Sequence, residues 1–364
     1  MASGIDSAVA HPTSLRVNTK AAAQTANEEL GLPQSVLHHK LDDLSMSVVP
    51  VHQYESILTQ LWKRMNFKLP VIRYGAPTRE ANIAHFASLG LSPELMSRAR
   101  EISKGSSLFG DLVYPSTSRA TRAYIGIFTT YLVFIDDMDV DQLAGLVNFR
   151  HCLHQGLPQS NLILQSFADF LLGLEEHVGK FGADMVFKSA VDFVSACQLE
   201  LTQMVPPTGA NLFPTYLRLK TGISEAFAYF MFPEYMYPEE KSLHQYIFAI
   251  PEIINLFNTI QDVISFYKES IVGDERFNFI YNIATSKRWR TPVTVLWTAS
   301  TAPGGCCLSI PPWRGLWRTL FKVLLCGITV STHDIGCQSC KLLPLGLPPR
   351  SWMISKLYLG KPTV

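Results

Sequence analysis

From about residue 50 to residue 285, apolar residues recur at helical spacing, and no stretch shows the strict alternation of a half-buried strand. A chain patterned this way buries its apolar stripes by packing helix on helix, so the fold class is all-α, a helical bundle. Residues 54–67 carry Ile57, Leu58, Leu61, Trp62 and Met65 on one stripe. Ser92-Pro93-Glu94 supplies an N-cap serine and a proline at the first helical position, opening a helix over 95–102. Gly105 and Pro115 then bracket a short segment, and 116–135 reads as a buried helix that finishes in acids. Further helices are predicted over 78–89, 142–155, 160–178, 183–204, 215–232 (with Gly222 inside it) and 239–271 (interrupted at Pro251).

The chain has 364 residues and is 47% hydrophobic, enough for a large core in one helical domain or two smaller ones. A net charge of +1, from 31 basic and 30 acidic residues, argues against a nucleic-acid or polyanion surface. Residues 1–34 are rich in Ala, Ser and Thr without the apolar segment of a secretory signal, and 1–45 reads as weakly ordered. The apolar run 124–135 is too short for a membrane span. The expectation is a cytoplasmic protein.

The bundle pattern covers 46–288, and 289–364 is of another character. From residue 277 onward Asp334 is the sole acid, while Cys, Trp and Pro are enriched. Such composition is what out-of-frame or intron-derived translation often yields, and a genuine but unusual Cys-rich extension is the alternative. Cys337 and Cys340 form a C-x-x-C, but no second pair stands at zinc spacing.

Two polar clusters interrupt the apolar pattern. Gln261, Ser265 and Glu269 stand at i, i+4 and i+8, so a helix stacks an amide oxygen, a hydroxyl and a carboxylate on one face. A hard cation such as Mg²⁺ prefers such a set, and a solvated helix face carries similar residues. Asp136, Asp137, Asp139 and Asp141 end an apolar helix, with Asp136/Asp139 and Asp137/Asp141 at contact spacing. Acids at a helix C-terminus oppose its dipole and repel one another; a divalent cation removes both objections, and an exposed acidic turn tolerates them. Arg218 lies between the two clusters in sequence, and its guanidinium offers a fork for phosphate oxygens. Gly222, four residues later, permits a helix break that turns a carbonyl inward.

Three segments resemble the trichodiene synthase family of fungal class I terpene cyclases. Gln261-Asp-Val-Ile-Ser-Phe-Tyr-Lys-Glu269 resembles the metal motif N-D-x-x-S-x-x-K-E, and Asp274-Glu275-Arg276 just after it is also similar. Phe134-Ile-Asp-Asp-Met-Asp-Val-Asp141 resembles D-D-x-x-D. Phe213-Pro-Thr-Tyr-Leu-Arg-Leu-Lys-Thr-Gly222 resembles the diphosphate-sensor segment, with Arg218 as sensor, Thr221 as linker and Gly222 as effector. The likeness spans about 50–285. The family's first asparagine is Gln261 here, the third aspartate of D-D-x-x-D falls at Val140 beside Asp141, and its C-terminal arginine–tyrosine pair has no match in 290–364.

The resemblance implies a class I terpene synthase (isoprenoid synthase) α-helical bundle. It implies three Mg²⁺ ions held by Asp136, Asp137 and Asp141 on one rim and by Gln261, Ser265 and Glu269 on the other. Arg218 and Lys268 would stabilise the departing diphosphate. Tyr131, Phe134, Phe227, Tyr229 and Phe257 are candidates to line a carbocation pocket, and each also fits plain core. Farnesyl diphosphate is the implied substrate, and a homodimer is compatible with the resemblance. Two rival readings are a catalytically impaired homologue with a foreign C-terminus and an isoprenyl chain-elongating synthase. The second would show another aspartate-rich motif where this chain has Gln261, Ser265 and Glu269.

Overall fold

A computed structural model describes residues 48–65, 76–201, 205–273, 277–289 and 291–301. α-Helices, short 3₁₀ turns and one π-helical turn account for the regular structure among them. The expectations for 1–45, for Asp274–Arg276 and for the tail beyond 301 lie outside the described residues.

The helices are α1 Val51–Met65, α2 Ala76–Ser88, α3 Pro93–Val113, α4 Arg119–Asp136 and α5 Leu143–Gln155. Then come α6 Leu162–Phe170, α7 Lys180–Leu201, α8 Phe213–Thr221 and α9 Ser224–Tyr229. The last are α10 Glu239–Tyr246, α11 Ile250–Phe266, α12 Phe279–Ser286 and α13 Val293–Thr301. The starts follow the capping chemistry. Ser92 Oγ accepts the N–H of Leu95 at 3.3 Å, and Ser118 Oγ accepts that of Thr121 at 3.0 Å. Pro251, expected to interrupt a helix, sits in the first turn of α11, where its missing N–H costs nothing.

α4 is the central element. All its residues from Ala123 to Ile135 are buried, and it packs against α2, α3, α6 and α7. Each fully buried Phe or Leu contributes roughly 1.5–3 kcal/mol.

Several expected boundaries move. α3 runs on from Ile102 to Val113 through Gly105 and Gly110. Here glycine serves close approach rather than termination: a Cβ on Gly110 would lie 2.6 Å from the carbonyl oxygen of Arg122 on α4. At the same crossing Asn82 of α2 donates to Ser106, Ser107 and Thr130 at 3.1, 3.3 and 3.0 Å, closing a buried polar knot. The predicted helix over 160–178 is α6 followed by a 3₁₀ turn, Leu171–Glu176. The last described helix, α13, lies past residue 288 and packs against α1 and α11.

The stretch Glu239–Val272 is long and apolar enough to cross a membrane, yet half of its most apolar window is buried inside the bundle. It is the core layer formed by α10, α11 and the turns around them.

Candidate active site

The residues singled out in the sequence fall on two rims and on the segment between them. On the first rim, α4 ends at Asp136, and Asp137 is its C-cap. The helical spacing expected for Asp136/Asp139 and Asp137/Asp141 does not arise, because the chain leaves the helix before Asp139. Asp141 lies in the 3₁₀ turn Val140–Gln142, and its N–H donates to Asp139 Oδ1 at 3.1 Å. Asp139 and Asp141 are exposed. Asp137 pairs with Arg98 of α3, whose guanidinium also lies 5.3 Å from the centre of the Phe134 ring. Asp136 faces α7, where ligand atoms of Asp136, Cys197 and Glu200 all fall within 4.8 Å of one another. Cys197 and Glu200 escaped sequence reasoning, because neither belongs to a local acidic pattern. Asp136 and Glu200 offer hard oxygens that suit Mg²⁺; a thiol is a soft donor and does not.

The second rim is the C-terminal half of α11. Gln261 is half-buried and Ser265 is buried. The ladder does not continue as α-helix to Glu269, because Tyr267–Val272 is a π-helical turn. Four residues overshoot an α turn of about 3.6 residues and undershoot the wider π turn, so the two angular drifts oppose each other. The π turn therefore limits how far Glu269 drifts round from the line of Gln261. Tyr54 of α1 donates its hydroxyl to the carbonyls of Val263 and Ile264, at 3.0 and 3.1 Å, where α bonding gives way to π bonding. Asn278 donates to Glu269 Oε2 at 3.1 Å and to Ser270 Oγ at 2.7 Å, while its Oδ1 caps α12. An asparagine before the apolar Phe279 is an N-cap signal, so this residue was legible as a cap though not as a partner of Glu269. The amide, hydroxyl and carboxylate of this rim form an all-oxygen donor set and fit Mg²⁺.

Between the rims, α8 carries Arg218 and ends at Thr221. Gly222 has an ordinary φ of −75°, and the left-handed residue of the break is Ile223, with φ 46°. Gly222 is required for a different reason. A Cβ there would collide with Asn258 Oδ1 and come within 2.8 Å of the Arg218 carbonyl oxygen and 2.9 Å of Arg218 Nη1. The Gly222 carbonyl accepts from Ser224 Oγ at 3.2 Å, and Ser224 Oγ also lies 2.5 Å from Asn258 Oδ1. The break is thus fastened to α11.

Arg218 makes a contact that the local pattern did not reveal. Its Nε lies 2.8 Å from Asp262 Oδ1, and the two side chains are 11% and 9% exposed. Arg218 Nε and Asp262 Oδ2 are both buried without a hydrogen-bond partner of good geometry. Burial pushes the Asp262 carboxyl above the ordinary carboxylate range, and Arg218 pulls it back. α7 touches both sides of the site: it carries Cys197 and Glu200 near Asp136, Asp192 paired with Lys220 at 2.7 Å, and Lys188 paired with Glu225 at 2.7 Å.

The candidate aromatic residues all lie in the core. Tyr131 packs on Phe86 and Phe167, and its hydroxyl is 2.7 Å from His85 Nε2. Phe134 packs on Phe86. Phe227 stacks on Phe257 with ring centres 6.0 Å apart, and Tyr229 is buried beside Phe181. Phe128 and Phe167 bridge the two groups into one wall. Burial lowers the basicity of His85 beside Tyr131.

An all-α bundle with an acid-tipped helix on one side and an oxygen ladder on the other, and an arginine between, defines a class I isoprenoid-diphosphate enzyme. Residues 94–294 match the trichodiene synthase family pattern. The chain is 36% identical over 261 residues to the (E)-beta farnesene synthase of Metarhizium brunneum, covering 71% of this chain and 78% of that protein. It is 29% identical over 253 residues to terpene synthase BipA of Cochliobolus sativus, covering 68% and 76%. With the trichodiene synthase of Fusarium cortaderiae it shares 24% over 184 residues, covering 49% and 48%. The chain belongs to the trichodiene synthase family and is a terpene synthase, a lyase of secondary metabolism that acts on an isoprenyl diphosphate.

Proposed function

We propose that this chain converts farnesyl diphosphate to a sesquiterpene with the help of Mg²⁺. The observation that carries the reading is the oxygen ladder of Gln261, Ser265 and Glu269 along α11 and the π turn after it, with Asp262 of α11 paired to Arg218 of α8. Bound Mg²⁺ would neutralise diphosphate charge and assist its departure. Gln261, Ser265 and Glu269 would supply oxygen ligands on one rim. Asp136 would do so on the other, with Asp141 free to move in and Asp137 available once Arg98 lets it go. Three ions are the expectation by resemblance. Arg218 presents two N–H donors at once to phosphate oxygens, and Lys268 adds an ammonium charge. Thr221 and Gly222 link the sensing arginine to the break that faces the substrate. Tyr131, Phe134, Phe227 and Phe257 would offer ring faces to cationic carbon, each worth roughly 0.5–2 kcal/mol. The core packing of these rings also excludes the water that would quench a cation. A cytoplasmic location and a homodimer belong to the same reading.

The test is incubation of the purified chain with farnesyl diphosphate and Mg²⁺, with volatile products analysed by mass spectrometry and Glu269→Gln as the control. The expected result is a sesquiterpene, cyclic or acyclic, that the variant does not make although it melts at the same temperature. Longer prenyl diphosphates would overturn the reading in favour of chain elongation. No turnover by this chain, with activity in a form carrying a family-like C-terminus, would identify an impaired homologue.

A further inference from the structure

We infer that Asp262 is a positioning residue that grips one edge of the Arg218 guanidinium while the other end binds diphosphate, so that the pair stays closed when substrate arrives. The inference rests on Arg218 being the diphosphate contact. Asp262 Oδ1 is 2.8 Å from Arg218 Nε, and both side chains are almost covered. Among the described residues, the terminal nitrogens of Arg218 make no other ion pair or hydrogen bond. Gly222 leaves the space beside Nη1, so the grip on Nε and the clearance at Nη1 together fix how the fork points.

Exchange of partners is the alternative, and electrostatics oppose it. If Arg218 abandoned Asp262 for the diphosphate, a buried carboxylate with one unbonded oxygen would be left uncompensated beside a polyanion. A guanidinium avoids this by serving two anions through two edges; an ammonium is a single point charge and cannot fix both. Asn258, one turn before Asp262, holds the other side of the same segment through Ser224. α11 therefore sets the position of the arginine at two points.

The experiment is calorimetric titration of the full chain with inorganic diphosphate in the presence of Mg²⁺, with Mg²⁺ alone as control. Asp262→Asn is expected to weaken diphosphate binding by about 10–100-fold, the range for removing a partner that orients a ligating group. Arg218→Lys should lose a similar factor, and the double variant no more than either single one, because the two residues act as a unit. Asp262→Glu keeps the charge and should recover part of the loss; it decides the question if Asp262→Asn does not fold. Wild-type affinity in Asp262→Asn, or losses that add in the double variant, would overturn the inference; if Asp262→Asn does not fold, a loss in Asp262→Glu that adds to that of Arg218→Lys does the same. Failure of the wild-type chain to bind diphosphate with Mg²⁺ would instead sink the role of Arg218 itself.

Discussion

At the tip of α4, Asp139 and Asp141 stand in solvent and Asp137 is tied to a half-exposed arginine. Across the site, α11 buries Asn258, Asp262 and Ser265 and fastens the first two to the α8–α9 break. The two rims carry similar oxygen chemistry in opposite settings. Acids in solvent can rearrange around an incoming ion at little cost, since water already screens them. The buried rim has no such freedom. Its charges are held in place before any ligand arrives, and moving one strands another. A difference of this kind assigns preorganisation to α11 and adaptation to the end of α4.

The sharpest way to break the comparison is Arg218→Ala. It leaves Asp262 buried and unpaired, and the expected cost is about 3–5 kcal/mol of folding stability, read from urea unfolding. A cost close to zero would mean that the second rim is as soft as the first. Gly222→Ala comes next. The new methyl group meets Asn258 and the Arg218 backbone, so about 1–3 kcal/mol should be lost together with diphosphate binding, measured by melting and by calorimetry. The smallest effect belongs to the open rim. Asp141→Asn should leave the melting temperature unchanged, because Asp141 is exposed and its N–H rather than its carboxylate bonds Asp139. A clear drop in melting temperature would show that the acids of this rim are also built into the fold.

The helical class, the buried α4 and its acid tip, and the position of Arg218 were legible because each rests on local spacing. What was hidden is what depends on tertiary approach. Gly105 looked like a breaker, yet α3 runs through it, and Gly110 lets α3 and α4 cross closely. Asp262 sat one residue off the ladder and so fell outside its spacing, and nothing local announces a partner 44 positions away. Cys197 and Glu200 come beside Asp136 only because α7 passes the end of α4. The π turn at Tyr267–Val272 has no signature in apolar period, since the side chains on either side keep a helical appearance.

That turn has a further consequence. Passing from i→i+4 to i→i+5 bonding skips a carbonyl, and the hydroxyl of Tyr54 meets two carbonyls at the junction. The α1 helix, more than two hundred positions earlier in the chain, is in effect the catch on a ratchet. With the catch engaged, Glu269 keeps its angular phase against Gln261. Packing at one end of the protein thus sets the clock position of a side chain at the other.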